Sequence, residues 1–139
     1  MKRLHAEHGI VCRLADDAFG YFGWPSVARL DDGTLAVASS GLRTRHVCPW
    51  GKTVLHLSRD DGRTWSPPRV IQDAMIDDRD AGIISMGGRR LLVSWFRSDT
   101  RRYLRPELPP EVYRAWTEVF ASWTDDAVAA LAGSWVMLS

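Results

Sequence analysis

Ser58-Arg59-Asp60-Asp61-Gly62-Arg63-Thr64-Trp65 is a stretch in which five of eight residues have an assignable structural role. Asp60 can accept hydrogen bonds from backbone amides of its own turn. Gly62 supplies a positive φ. Ser58 and Thr64 can bond across the hairpin ends, and Trp65 can pack flat over the turn. The stretch predicts a tight turn between two strands.

The flanks read the same way. Lys52 to Ser58 alternates, with Val54, Leu55 and Leu57 apolar. Thr34 to Ser40 predicts the strand before it, across a polar loop from Gly41 to Gly51. Asp31-Asp32-Gly33 is a hairpin signal, and Pro25 to Leu30 predicts a short strand. Gly9 to Leu14, with Ile10, Val11, Cys12 and Leu14 apolar, predicts a first strand, broken by Asp16 to Gly20. After the turn, Thr64 to Ile71 predicts an edge strand, because Pro67 and Pro68 cannot donate to a ladder. Short strands joined by tight turns make about one blade of a propeller-like meander.

The pattern then restarts. Ala81 to Ser85 is apolar, Gly87-Gly88 is a turn, and Arg90 to Phe96 predicts a strand. Leu35 and Leu91 hold equivalent places, 56 residues apart, a weak internal repeat. Ser134 to Ser139 mirrors Thr53 to Ser58 at a spacing of 81. The excess of 25 over the first spacing is about the size of a helical insertion. Pro109 and Pro110 suit a helix start with Glu111 in its first turn. Val112, Trp116, Val119 and Phe120 share one helical face. Thr124-Asp125-Asp126 can cap a second helix through Leu131, ended by Gly133. The expected fold is all-β. It is a partial β-propeller of about one and a half four-stranded antiparallel blades with a small helical insertion. Blade one spans about 19–76, and the start of blade two about 77–139 with the insertion at about 106–132. The chain is expected to stop at the first residue of a second turn of the same kind.

Composition excludes several classes. The 139 residues carry a net charge of +1, with arginines scattered among acids, so neither nucleic acid nor anionic membrane is expected as a partner. The basic start Met1 to His8 lacks an apolar run and does not read as a signal peptide. No stretch approaches the roughly 18 apolar residues of a membrane span. Cys12 and Cys48 are too few for a disulfide framework. They can pair, but two buried thiols in a reducing compartment is the plainer reading, and the expected location is cytoplasmic. Seven tryptophans are many for this length. Core packing accounts for at least four, and large aromatics also line carbohydrate sites.

The turn at Ser58 to Trp65 matches the Asp-box, Ser-x-Asp-x-Gly-x-Thr-Trp. Phe22-Gly23-Trp24-Pro25-Ser26-Val27, then Asp31-Asp32-Gly33-Thr34-Leu35, then the box follow in the order of the sialidase family. Over roughly residues 19 to 100 the chain resembles these six-bladed β-propeller glycoside hydrolases. The resemblance implies a central site that binds an acidic sugar through arginines, a Tyr–Glu nucleophile and an Asp acid/base. Two departures stand out. Where the family has Phe-Arg-Ile-Pro, this chain has Gly23 in place of the arginine. Gly41 to Leu57, the region of the acid/base, holds no Asp or Glu but offers Arg43, Arg45, His46 and Lys52. The Tyr, the Glu and the later arginines would fall beyond residue 139.

The candidates follow from these gaps. Arg79 falls on Gly23 under the 56-residue offset, in the register of the missing arginine one blade on. Flanking carboxylates can fix its direction. Asp78 and Asp80 are the candidate catalytic acid or base, or they belong to a structural ion-pair cluster. Substrate-binding candidates are Arg79, Arg43, Arg97 and Trp24, together with His46, which is either a sugar contact, an acid/base or a plain loop histidine. His46 and Cys48 lack companions at ligand spacing, so no metal and no cofactor are expected. The expected function is a sialidase-like glycoside hydrolase domain, exo-acting on a terminal, acidic sugar. The alternatives are a non-catalytic carbohydrate-binding propeller and an inactive truncated product that self-associates through open sheet edges.

Overall fold

Ala36 and Ala38 pair with Leu57 and Leu55 on one face while Val37 and Ser39 pair with His56 and Val54 on the other, and this period-two alternation builds the first of two sheets. A computed structural model describes residues 6–139; the basic start at residues 1–5 lies outside them. The first sheet contains β1 (Tyr21–Arg29), β2 (Leu35–Arg43), β3 (Lys52–Ser58) and β4 (Arg69–Gln72), in the order β1-β2-β3-β4. The second contains β5 (Asp77–Ser85), β6 (Leu91–Ser98) and β7 (Gly133–Leu138), in the order β5-β6-β7. All pairings are antiparallel. The fold is mostly β, with two short helices, α1 (Pro110–Phe120) and α2 (Asp125–Leu131), between β6 and β7.

The 56-residue spacing recurs in three dimensions. Val27 pairs with Val37 and Ile83 with Val93. The register slips between Gly23 and Ser26 in one sheet and between Arg79 and Gly82 in the other. Trp24 and Asp80, inside these bulges, both have left-handed backbone, φ 51° and 50°.

The sheets pack face to face. Leu30, Ala36 and Ala38 of the first meet Ala81, Ile83, Leu91, Val93 and Trp95 of the second. The alanines let the backbones approach closely. Side chains of the first sheet cap groups of the second: Asp80 N donates to Ser40 Oγ at 2.8 Å, and Gly88 N donates to Asp31 Oδ2 at 2.6 Å.

A second core gathers Trp116, Phe120, Trp123 and Val128 of the helical segment around Ile76, with Trp50 and Val47 against it. Val112 and Val119 join from the same face of α1. Pro110 opens α1, and Thr124 Oγ1 caps α2 by accepting from Ala127 N at 3.2 Å.

Three expectations need correction. Gly9 to Leu14 forms no strand. It has no ladder partner, and Val11 and Cys12 instead line a cavity against Phe22 and Val37. β1 begins at Tyr21, ahead of Pro25, because the bulge absorbs the residue that cannot donate. The strand expected over Thr64 to Ile71 is confined to Arg69–Gln72, past Pro67 and Pro68. Trp95, Trp116 and Trp123 are buried and Trp50 packs against the second core, which makes the four expected there. No helix among the described residues is long and apolar enough to cross a membrane.

Candidate functional site

The turn at Ser58 to Trp65 is closed by its own side chains. Asp60 Oδ1 accepts from Thr64 N (2.9 Å) and Ser58 Oγ (2.8 Å), and Oδ2 accepts from Thr64 Oγ1 (2.6 Å). Ser58 and Thr64 therefore meet through Asp60 rather than directly. Trp65 Nε1 donates to Gly62 O at 3.1 Å, and Gly62 has φ 84°. These donors hold the Asp60 carboxyl down at about 2. The turn is structural and lies apart from the charged cluster.

That cluster forms where β2 ends and β5 begins. Arg43, the last residue of β2, is fully buried and donates bidentately to Asp77, with Nη1 to Oδ1 at 2.7 Å and Nη2 to Oδ2 at 2.8 Å. Its remaining donors take Asp78 O (3.2 Å), His46 O (2.9 Å) and Arg45 O (3.4 Å). Arg43 thus shapes the loop at 44–51. Gly51 makes room for the pair, because a Cβ there would fall on both Arg43 Nη1 and Asp77 Oδ1. Burial pushes the Asp77 carboxyl up, while Arg43 and then Arg79 pull it back.

Asp78 is likewise fully buried. Its Oδ1 accepts from Arg97 Nε at 2.9 Å and its Oδ2 from Ala74 N at 2.7 Å. Arg97 also donates to Gln72 Oε1 (3.0 Å) and lies over the Trp135 ring at 4.5 Å. Both groups tie β5, β6 and β7 together.

Arg79 differs. It is 8% exposed, and its Nε is buried without a hydrogen-bond partner. Its nearest anion is Asp77 Oδ2 at 3.9 Å. Its guanidinium lies over Trp24 at 5.1 Å and Phe96 at 5.8 Å. Trp24 also faces Arg43 at 5.5 Å, and the exposed His46 meets its ring edge-on at 4.8 Å.

The structure therefore brings Trp24, Arg43, His46 and Arg79 together, with Asp78 and Arg97 adjoining through β5. Asp80 is exposed, and its carboxylate makes no ion pair among the described residues. Three guanidinium groups face two carboxylates, which leaves the cluster cationic. Sequence reasoning missed Asp77 and Gly51 as organisers. Only the run Asp77-Asp78-Arg79-Asp80 hinted at the first, and nothing marked the second. Cys12 and Cys48 are unpaired. Among the described residues no three His, Cys, Asp or Glu side chains gather as metal ligands.

No protein-family model matches the chain, and a search of curated proteins finds no similar sequence.

Proposed function

We propose that this chain is part of a sialidase-like β-propeller that recognises a terminal acidic sugar at the end of the sheets where Trp24 and Arg79 lie. The reading rests on one observation above all: Arg79 has a buried Nε with no partner, on an aromatic platform, in a cationic cluster. A ligand carboxylate that reaches the outer Nη donors of this guanidinium would gain a charge-assisted hydrogen bond. The propeller assignment is supported by the repeated bulge and the Asp-box. The two unpaired thiols suit a reducing compartment, which supports a cytoplasmic location.

Calorimetric titration with acidic and neutral monosaccharides tests it. Binding should be confined to the acidic sugars and lost in Arg79→Met. Equal binding of neutral sugars, or an unaffected Arg79→Met variant, would overturn it.

Hydrolysis is the second reading, favoured by the exposed Asp80 carboxylate one residue from Arg79. Glycosidases need two groups about the bond, and Asp78 is already held by Arg97 and Ala74. Release of an aryl leaving group that stops in Asp80→Asn would support it. Sugar binding without turnover leaves the recognition role alone.

A further inference from the structure

The two sheets meet through unlike faces. In the first sheet Ala28, Ala36 and Leu57 form one cross-strand row, and Val27, Val37 and His56 form a row on the opposite face. The second sheet repeats both rows. Ile84, Leu92 and Leu138 stand at the places of Ala28, Ala36 and Leu57, and Ile83, Val93 and Met137 at those of Val27, Val37 and His56. The core joins a row of one kind to a row of the other: Ala28, Ala36 and Leu57 share one cluster with Ile83, Val93 and Met137. One row of each kind is left facing outward.

The leftover rows keep the apolar character of their buried counterparts and lack their cover. Ile84 is 54% exposed, and Leu138 and the neighbouring Val136 are open as well, whereas Leu57 and Leu55 at the same places of the first sheet pack into the core. Gly82 and Ser94 leave a hollow of about 220 Å³ on this face, bounded by Ile84 and Leu92. On the first sheet Val27 is 60% exposed, against 4% for its counterpart Ile83. Val37 and His56 lie under the coil before β1, where Val11 and Cys12 line a hollow of about 150 Å³ with them. Among the described residues, the backbone of 6–13 makes no hydrogen bond to a strand. A cover held by side chains alone opens at low cost.

We infer that these two faces take each other in neighbouring copies of the chain. The outer face of the second sheet in one copy docks on the outer face of the first sheet in the next. The contact between copies then repeats the contact that joins the two sheets within one copy, row for row. The occupant is a second copy because the chain itself carries both halves of an interface it already forms once. An exposed apolar patch of this kind marks a protein contact. The contact is heterologous, so a pair of copies keeps one free face at each end and can add a third. It uses the faces of the sheets and not their strand edges, and it is independent of the sugar reading.

Sedimentation velocity of the full chain tests this, with Ile84→Lys and Val27→Lys run separately and mixed. Both side chains are exposed, so lysine there leaves the cores intact, and circular dichroism spectra matching wild type show that both variants fold. Wild type should sediment faster than a dimer as its concentration rises. Each variant alone should stay monomeric, because it has lost one of two complementary faces. An equimolar mixture should recover a dimer and go no further, since the intact face of one variant meets the intact face of the other. A mixture that stays monomeric while wild type associates would show that like faces meet, and would overturn the inference. Association that survives both lysines, the behaviour of strand pairing along the free edge of β7, would also overturn it. So would a wild-type monomer at every concentration, which leaves the two faces to a different protein.

Discussion

Trp24 and Asp80 occupy the same point of two successive sheets. They lie 56 residues apart, each inside a bulge, each with left-handed backbone at φ 51° and 50°. Neither residue type adopts this conformation without cost, and a bulky tryptophan least of all. Strained residues of this kind concentrate at binding and catalytic sites. Here one lies under Arg79 and the other is an exposed carboxylate.

Replacing Asp80 with glycine should relieve that strain. Stability is expected to hold or to rise by up to about 1 kcal/mol, measured by urea unfolding. A loss of more than about 1 kcal/mol would mean that the carboxylate stabilises the fold.

Asp77→Asn should be costly, because it leaves the buried Arg43 guanidinium without a counter-charge. The expected loss is about 3–5 kcal/mol, read from the denaturation midpoint. Gly51→Ala should lose stability by the same route, since its methyl group needs the space of the pair. An unchanged midpoint in both variants would count against the pair as an organiser of the loop.

Asp60 sets a pH dependence. Its folded pKa, about 2, lies below the ordinary value of 3.8 because Thr64 and Ser58 donate to the ionised form. Its stabilisation is fully present above about pH 4 and lost as the pH falls through about 2. Melting temperature should therefore drop less steeply in Asp60→Asn than in wild type over this window. Parallel curves would show that the turn makes no ionisation-linked contribution.

β7 should mediate self-association. It carries no charge and no proline, and Val136 and Leu138 are 68% and 59% exposed. Its counterpart β3 is covered by β4, whereas β7 pairs with β6 alone in its sheet. Such an edge is a template for another strand. Sedimentation velocity should detect concentration-dependent association that Val136→Lys weakens. A wild-type monomer at all concentrations would contradict this.

Much of the fold was legible because its signals are local. The turn at Ser58 to Trp65 closes through hydrogen bonds within eight residues, and α1 and α2 announce themselves by proline, cap and helical spacing. Gly9 to Leu14 was misread because an apolar run looks the same whether it pairs in a sheet or lies against one.

For the site, residue type together with the 56-residue register and the family resemblance picked out Trp24, Arg43, His46 and Arg79, which the fold gathers around one indole ring. Their roles were not legible. Arg43 and Asp77 lie 34 residues apart, and Asp78 and Arg97 19 apart. Which arginine is consumed by a buried carboxylate, and which keeps free donors, depends on how the two sheets pack. Sequence alone thus determined the turn at Ser58 to Trp65 and the two helices, each closed by neighbours along the chain, and signalled the 56-residue repeat. Tertiary structure alone decided that Asp77 and Asp78 are spent on Arg43 and Arg97, leaving Arg79 with only a 3.9 Å approach to Asp77 and no hydrogen bond. Burial makes each pairing depend on residues distant in sequence.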